Sequence, residues 1–344
     1  MTTLAVLQVV WFILIGVLLT GYFVLDGFDL GAGILSKKLA VTDDETRVLT
    51  RSIGPIWDGN EVWLLTAGGA LFAAFAPAYA ATFSGFYLAI MLVLFSLIIR
   101  AVSVEYMAYD PKWKGLWSWL FLIGSFVASL LYGVALGNVI QGIPLSVSGD
   151  YTGTFFGLLT AFPLACGILS LVHIMWQGAG WVALKTEVDS DMHVRAVAWR
   201  KLLGWVTLAA FVLATALFFG TVSIPMQGGI VAALRYVFVA LFVLALVLGE
   251  LYANKGNDLI AFLGSCVTAL SLIGIWATST FPNLVYATND PALSLTIWNS
   301  SSSQVGLTAM TIIACIGVPL VLVYHVIIYR TYAGRISLED AGKH

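Results

Sequence analysis

The sequence predicts an all-α integral membrane protein of about nine transmembrane helices, and three observations predict it. Hydrophobic residues make up 60% of the 344 and charged residues only 10%, against roughly 25% charged in a soluble globular chain. Apolar runs longer than the roughly 18 to 20 residues that span a hydrocarbon core recur from end to end. The breaks between them are short and carry turn chemistry, as at Pro77, Gly142 with Pro144, Gly228 with Gly229, and Asn289 with Pro291. Residues 1–344 therefore read as one polytopic membrane domain with no soluble domain left over.

Apolar windows place the spans at about 4–35, 52–75, 81–101, 116–140, 155–184, 202–221, 230–253, 259–281 and 304–329. The first has no basic flank before it and is too long for the apolar region of a signal peptide, so it is expected to be retained. Cys166, Cys266 and Cys315 stand singly in apolar stretches, without the close spacing of a metal or disulfide framework, and read as small packing residues. A net charge of −2 argues against a nucleic-acid partner.

The distribution of charge orients the chain. Lys37, Lys38, Arg47 and Arg51 follow the first span; Arg100, Lys112 and Lys114 the third; Lys185, Arg195, Arg200 and Lys201 the fifth; Lys255 the seventh; Arg330, Arg335 and Lys343 the ninth. These are 15 of the 16 basic residues, and only Arg235 falls on the other side. The positive-inside rule then puts the N-terminus outside, the C-terminus in the cytoplasm, and makes the number of spans odd. Trp113, Trp117, Trp119, Tyr79, Tyr151, Trp298 and Tyr332 lie near span ends, as expected of an interfacial aromatic belt.

The chemical signal is two pairs of carboxylates inside the apolar runs. Asp26 and Asp29 are three apart in the first span, and Asp58 and Glu61 three apart in the second, so each pair shares one helical face. At 1.5 Å per residue, Asp29 lies about 12 Å from Lys37 and Asp58 about 10 Å from Arg51, which puts both pairs in the cytoplasmic half. An ionised carboxylate at a span centre costs about 2.5 to 3.5 kcal/mol even on mild insertion scales, so these groups should face protein or water. They can form a proton-conducting or ion-binding cluster open to the cytoplasm. The structural alternative is buried hydrogen bonding, or a charge pair with Arg100, and Glu61 is the member that suits it best. Gly27, Gly31 and Gly33 permit close helix approach around the first pair.

Two histidines, His173 and His325, lie within spans at similar depth, so a bis-histidine haem is a reading to weigh; hydrogen-bonded packing is the commoner role of a lone intramembrane histidine. His193 and His344 have no ligand cluster around them in the sequence, and no nucleophile triad, phosphate loop or Cys/His metal set occurs elsewhere.

The stretches GYFVLDGFDLGAGIL, IGPIWDGNEVWLLTAGGALFAAFAPAYAATFSGFYLAIMLVLFSLIIR, ALGNVIQGIPL and WNSSSSQVGLTAMTIIACIGVPLVLVYHVIIYRTYAGRIS resemble cytochrome bd quinol oxidase subunit II. The resemblance covers most of the chain and is weakest between Ser190 and Thr280. It implies nine helices, largely two four-helix bundles plus one peripheral helix, paired with a similar subunit I in a bacterial or archaeal cell membrane. It further implies that subunit I holds two haems b and one haem d and oxidises quinol, that this chain ligates no haem or metal, and that some relatives hold a structural quinone here. A small single-span accessory subunit is a further partner in such complexes. The family's proton route includes the carboxylate of the WDGN motif, here Asp58, with Asp29 and Arg100 in matching nearby positions. Asp26 and Trp57 also match the pattern, and Glu61 stands where glutamine also occurs. The link between the sixth and seventh spans is short here, where some relatives carry a long external insertion.

Physics alone leaves a competing class, a proton-coupled secondary transporter, which would share the many spans, short loops and buried carboxylates. A b-type cytochrome using His173 and His325 is a third reading. A transporter would purify colourless and act alone; a b-type subunit would carry haem by itself.

Overall fold

The computed structural model describes residues 2–337; Lys343 and His344 lie outside them. The described helices are α1 (Thr3–Leu39), α2 (Asp43–Ile53), α3 (Trp57–Ala74), α4 (Ala76–Gly85), α5 (Tyr87–Tyr109), α6 (Lys114–Gln141), α7 (Ala161–Lys185), α8 (Asp191–Thr221), α9 (Gly229–Ala253), α10 (Asp258–Thr280) and α11 (Gln304–Thr331). A small antiparallel hairpin pairs β1 (Asn283–Val285) with β2 (Leu295–Thr296), Asn283 opposite Thr296.

Among the described residues, eight helices are long and apolar enough to cross a membrane: α1 and α5 to α11. The chain is a multi-pass membrane protein. The remaining expected span corresponds to α3, whose 18 residues reach about 27 Å at 1.5 Å each. Its first turns carry Asp58, Asn60 and Glu61, which lower its apolarity.

Two breaks redraw the second and third expected spans, each for a local reason, and α8 begins at Asp191 instead of 202. Gly54 and Pro55 break the expected 52–75 helix, because proline lacks a donor and excludes the preceding turn. Asp58 therefore sits in the first turn of α3, where the helix dipole favours an acid, and its depth cannot be counted along one helix from Arg51. A second break at Phe75, followed by Pro77 in the first turn of α4, carries residues 81–85 into α4 and moves the next span to Tyr87–Tyr109. Arg100 is consequently a residue of the helix interior, not of a loop, and belongs with the buried carboxylates.

Helices α1, α3, α5 and α6 form one group and α7 to α10 a second, closed group in which α10 packs back on α7. The groups join where α7 lies against both α1 and α6. At the α1–α7 crossing, Gly31 faces the backbone of Ile174 and Gly178, and a Cβ at either glycine would collide with main chain. Helix α11 stands outside both groups, in contact with α1 and α3, and leaves Ile313, Ile316 and Leu320 more than 60% exposed.

Beyond the Lys37 end of α1, the amphipathic α2 lies on the bundle with Val48, Leu49 and Ile53 buried. A capping box starts it: Thr42 accepts from the Glu45 amide, and Glu45 Oε2 accepts from the Thr42 amide at 3.1 Å and the Val41 amide at 2.8 Å. Arg195 of α8 donates to Glu45 and to the Leu39 carbonyl, tying α2 to the second helix group. Burial acts to raise the Glu45 carboxyl, but the two amides and Arg195 hold it below the ordinary glutamate value.

Candidate functional site

The carboxylate pair of α1 turns inward. Asp26 and Asp29 are both fully buried, as the shared face of their spacing requires. Arg100, reaching across from α5 and itself fully buried, donates from Nη2 to Asp26 Oδ1 at 2.7 Å. Its guanidinium carbon lies 5.9 Å from the centre of the Trp57 ring, at the start of α3. Asp29 takes a different partner, Asn60 of α3, whose Nδ2 donates to Asp29 Oδ2 at 2.7 Å. Asn60 in turn accepts from the Tyr329 hydroxyl of α11 at 3.0 Å. Four helices thus converge on the first pair.

The second pair turns the other way. Asp58 is exposed and Glu61 half-buried, and among the described residues neither carboxylate forms a hydrogen bond or an ion pair. The reason is angular. Asn60 stands two residues, roughly 200°, around α3 from Asp58. The buried face of α3 is the stripe Asn60, Trp63, Ala67 and Ala74, at helical spacing. The structure therefore brings Asp26, Asp29, Arg100 and Trp57 together and leaves Asp58 on the outer face of the same helix that supplies Asn60. Asn60 and Tyr329 are the site residues that sequence reasoning missed. The Asn60–Trp63–Ala67 spacing could have marked the first; the second depends on how α11 docks.

Each inner carboxylate is held by one oxygen only. Asp26 Oδ2 and Asp29 Oδ1 are buried without a hydrogen-bond partner, as are Nε and Nη1 of Arg100. Each carboxylate thus keeps one oxygen free to receive a proton or a water, while its other oxygen fixes its position. One turn before Asp26, Tyr22 donates to the Tyr132 hydroxyl at 2.7 Å, linking α1 to α6.

The two intramembrane histidines engage different helices. His173 Nε2 lies 2.8 Å from Thr268 Oγ1 and 3.2 Å from the Ser265 carbonyl, both on α10. His325 has both ring nitrogens engaged: Nε2 accepts from Trp63 Nε1 at 3.1 Å, and Nδ1 lies 2.9 Å from the Val321 carbonyl. Among the described residues, no group of three or more His, Cys, Asp or Glu side chains is placed to hold a metal ion. Cys166 packs against Gly137 on α6, whereas Cys315 lies exposed on α11.

The family model for "Cytochrome bd terminal oxidase subunit II" matches residues 7–332. The chain belongs to the cytochrome bd terminal oxidase subunit II family. It is 38% identical over 367 residues to "Cytochrome bd-I ubiquinol oxidase subunit 2" of Escherichia coli (strain K12), covering 97% of this chain and 96% of that one. With "Cytochrome bd ubiquinol oxidase subunit 2" of Bacillus subtilis (strain 168) it shares 32% identity over 340 residues, covering 98% and 99%. A solved structure of bd oxidase from Geobacillus thermodenitrificans aligns over 95% of this chain and 98% of that chain, with a TM-score of 0.73 at 15% identity, and so shares its fold. As a subunit II of a cytochrome bd quinol oxidase, the protein is part of an oxidoreductase complex with a subunit I partner and haem in the assembly. The transporter reading is not favoured.

Proposed function

We propose that this chain supplies the cytoplasmic-side proton path of the oxidase, with Asp58 receiving protons at the face covered by subunit I and with Asp29 and Asp26 as the inner proton-holding groups. Arg100, with Trp57 beside its guanidinium, fixes Asp26, Asn60 fixes Asp29, and Glu61 is a secondary, supporting neighbour. The observation that carries this reading is the fixing of Asp26 and Asp29 by one oxygen each while the other oxygen of each stays free. A purely structural cluster would gain from satisfying every buried polar atom. The exposure of Asp58 fits a residue that meets a partner chain, because a bare carboxylate on a membrane-spanning helix is costly against lipid. The N-terminus is external and the C-terminus cytoplasmic in this arrangement.

Subunit I carries the two haems b and the haem d and oxidises the quinol; this chain ligates none of them. A structural quinone would fit the apolar cleft of about 300 Å³ between the two helix groups, lined by Phe162, Phe211, Phe218 and Trp276 and by Arg235. Trp276 Nε1 and Arg235 Nε are buried there without partners, two donors suited to quinone carbonyls. Bound there, such a quinone would pack and hold helices.

Proton uptake after an oxygen pulse tests the path. In vesicles containing the assembled oxidase and a pH dye on the cytoplasmic face, Asp29→Asn should slow uptake and oxygen reduction together by at least about tenfold, the lower range of a lost acid–base group. Unchanged uptake with full haem content would remove Asp29 from the path.

A further inference from the structure

We propose that a groove at the Lys37 end of α1, on the face built from α1, α6, α7 and α8, is a binding site for an anionic phospholipid of the surrounding membrane. Ile34, Leu35, Leu122 and Met175 line its apolar length, Trp119 and Trp199 its flanks, and Lys37 and Lys38 its mouth. Its volume is about 580 Å³.

Unpaired positive charge marks the mouth of the groove. Arg47, Lys114, Arg195, Arg200 and Arg335 each form an ion pair with a carboxylate of this chain. Lys37 and Lys38 form none among the described residues. Instead the Lys37 ammonium stands 5.6 Å from the centre of the Trp119 ring, which holds it over the groove without neutralising it. Two adjacent cations at one mouth suit a phosphate that carries net negative charge, as in phosphatidylglycerol or cardiolipin. A zwitterionic headgroup would bring its own cation to the same place.

Depth supports the same ligand. Met175 precedes Lys185, the last residue of α7, by ten positions, and Leu122 follows Lys114, the first of α6, by eight. At 1.5 Å each the apolar lining runs about 12 to 15 Å into the membrane from the helix ends. That is a length for an acyl chain below a headgroup. Trp119, 54% exposed, has the amphipathic ring expected at the boundary between the two. The groove lies on helices other than α3 and α11, the two that carry Asp58 and the exposed apolar face beside it, so the surface proposed for subunit I does not compete for it.

The test uses the purified, assembled oxidase in detergent, titrated with dioleoyl phosphatidylglycerol or dioleoyl phosphatidylcholine and read by native mass spectrometry. The intact complex should show one phosphatidylglycerol bound more tightly than any phosphatidylcholine. Lys37→Gln with Lys38→Gln should weaken that binding roughly 30-fold, about fivefold per lysine, from the usual strength of a basic residue at an anionic surface. Phosphatidylcholine binding should not change. Trp119→Leu, which keeps the groove apolar, should weaken binding less than the lysine pair. Lys201→Gln, at the same end but outside the groove, should leave it intact. Equal affinity for the two lipids would overturn the proposal. So would a loss in Lys201→Gln as large as in the double variant, since the preference would then belong to the whole basic rim.

Discussion

Arg100 and Asp26 form a fully buried ion pair, Nη2 to Oδ1 at 2.7 Å, between α5 and α1. Removing one partner of such a pair leaves an uncompensated charge and costs about 3–5 kcal/mol. Arg100→Gln is the harsher change, because it strands Asp26 and Asp29 together. It should sharply reduce the yield of heat-resistant complex. Asp26→Asn should be milder, since Asp29 still lies within the field of Arg100. The double variant Asp26→Leu with Arg100→Leu should recover part of the loss. Residual complex after graded heating, measured for all three, checks the order; a double variant worse than Arg100→Gln would contradict it.

How much of this was legible follows from which contacts are local. The Asp26–Asp29 face is a property of one helix, so spacing alone found it, and the apolar context supplied the need for Arg100. Asn60 is legible only from the packed stripe Asn60, Trp63 and Ala67, because the Asp58–Glu61 spacing marks the face of α3 that turns outward. Tyr329 could not be found that way, because its bond to Asn60 joins residues 269 positions apart through the docking of α11. The break at Gly54 and Pro55 was marked by its residues, yet an apolar window averages across it and merges α3 with what precedes it.

His173→Ala and His325→Ala should leave the haem content of the complex unchanged. His325 is held between Trp63 and Val321, and His173 by Thr268 and Ser265. Each substitution should cost about 1–3 kcal/mol, from an unpaired buried partner. The absorption spectrum per assembled complex is the readout, and loss of one haem band with both subunits present would refute the assignment.

Orientation has a direct check. A reporter fused after Lys343 should be cytoplasmic, and one inserted after Val147, which is 92% exposed in the link between α6 and α7, should be external. The reverse pattern would require Lys37, Lys38 and the other basic loops to lie outside.

Glu45 gives α2 a pH dependence whose sign is fixed. Its folded-state value is depressed, so its stabilisation is complete above the unperturbed value of about 4.3 and fades as pH falls through the lower folded-state value. Glu45→Gln, which weakens the capping box and the Arg195 pair, should cost about 1–2 kcal/mol at neutral pH. The gap in denaturation midpoint between wild type and variant should therefore narrow as pH drops below about 4. A gap that widened in acid would invert the assignment.

Asp58→Asn separates transport from packing more cleanly than any change at the inner pair. The side chain lies exposed on the outer face of α3 with no hydrogen-bond partner among the described residues, so the substitution should not disturb this subunit's own fold. It nearly preserves size and removes the exchangeable proton. Assembly and haem content should stay normal, and quinol should still reduce the haems. Oxygen reduction should fall by at least about tenfold, because the step that needs a cytoplasmic proton is the one slowed. Glu61→Gln should be much milder, since the proposed path does not pass through Glu61. Turnover of purified complexes across about pH 6 to 8 exposes a limit on proton supply. An Asp58→Asn complex with full haem content and undiminished turnover over that range would take Asp58 off the essential path and leave its role structural.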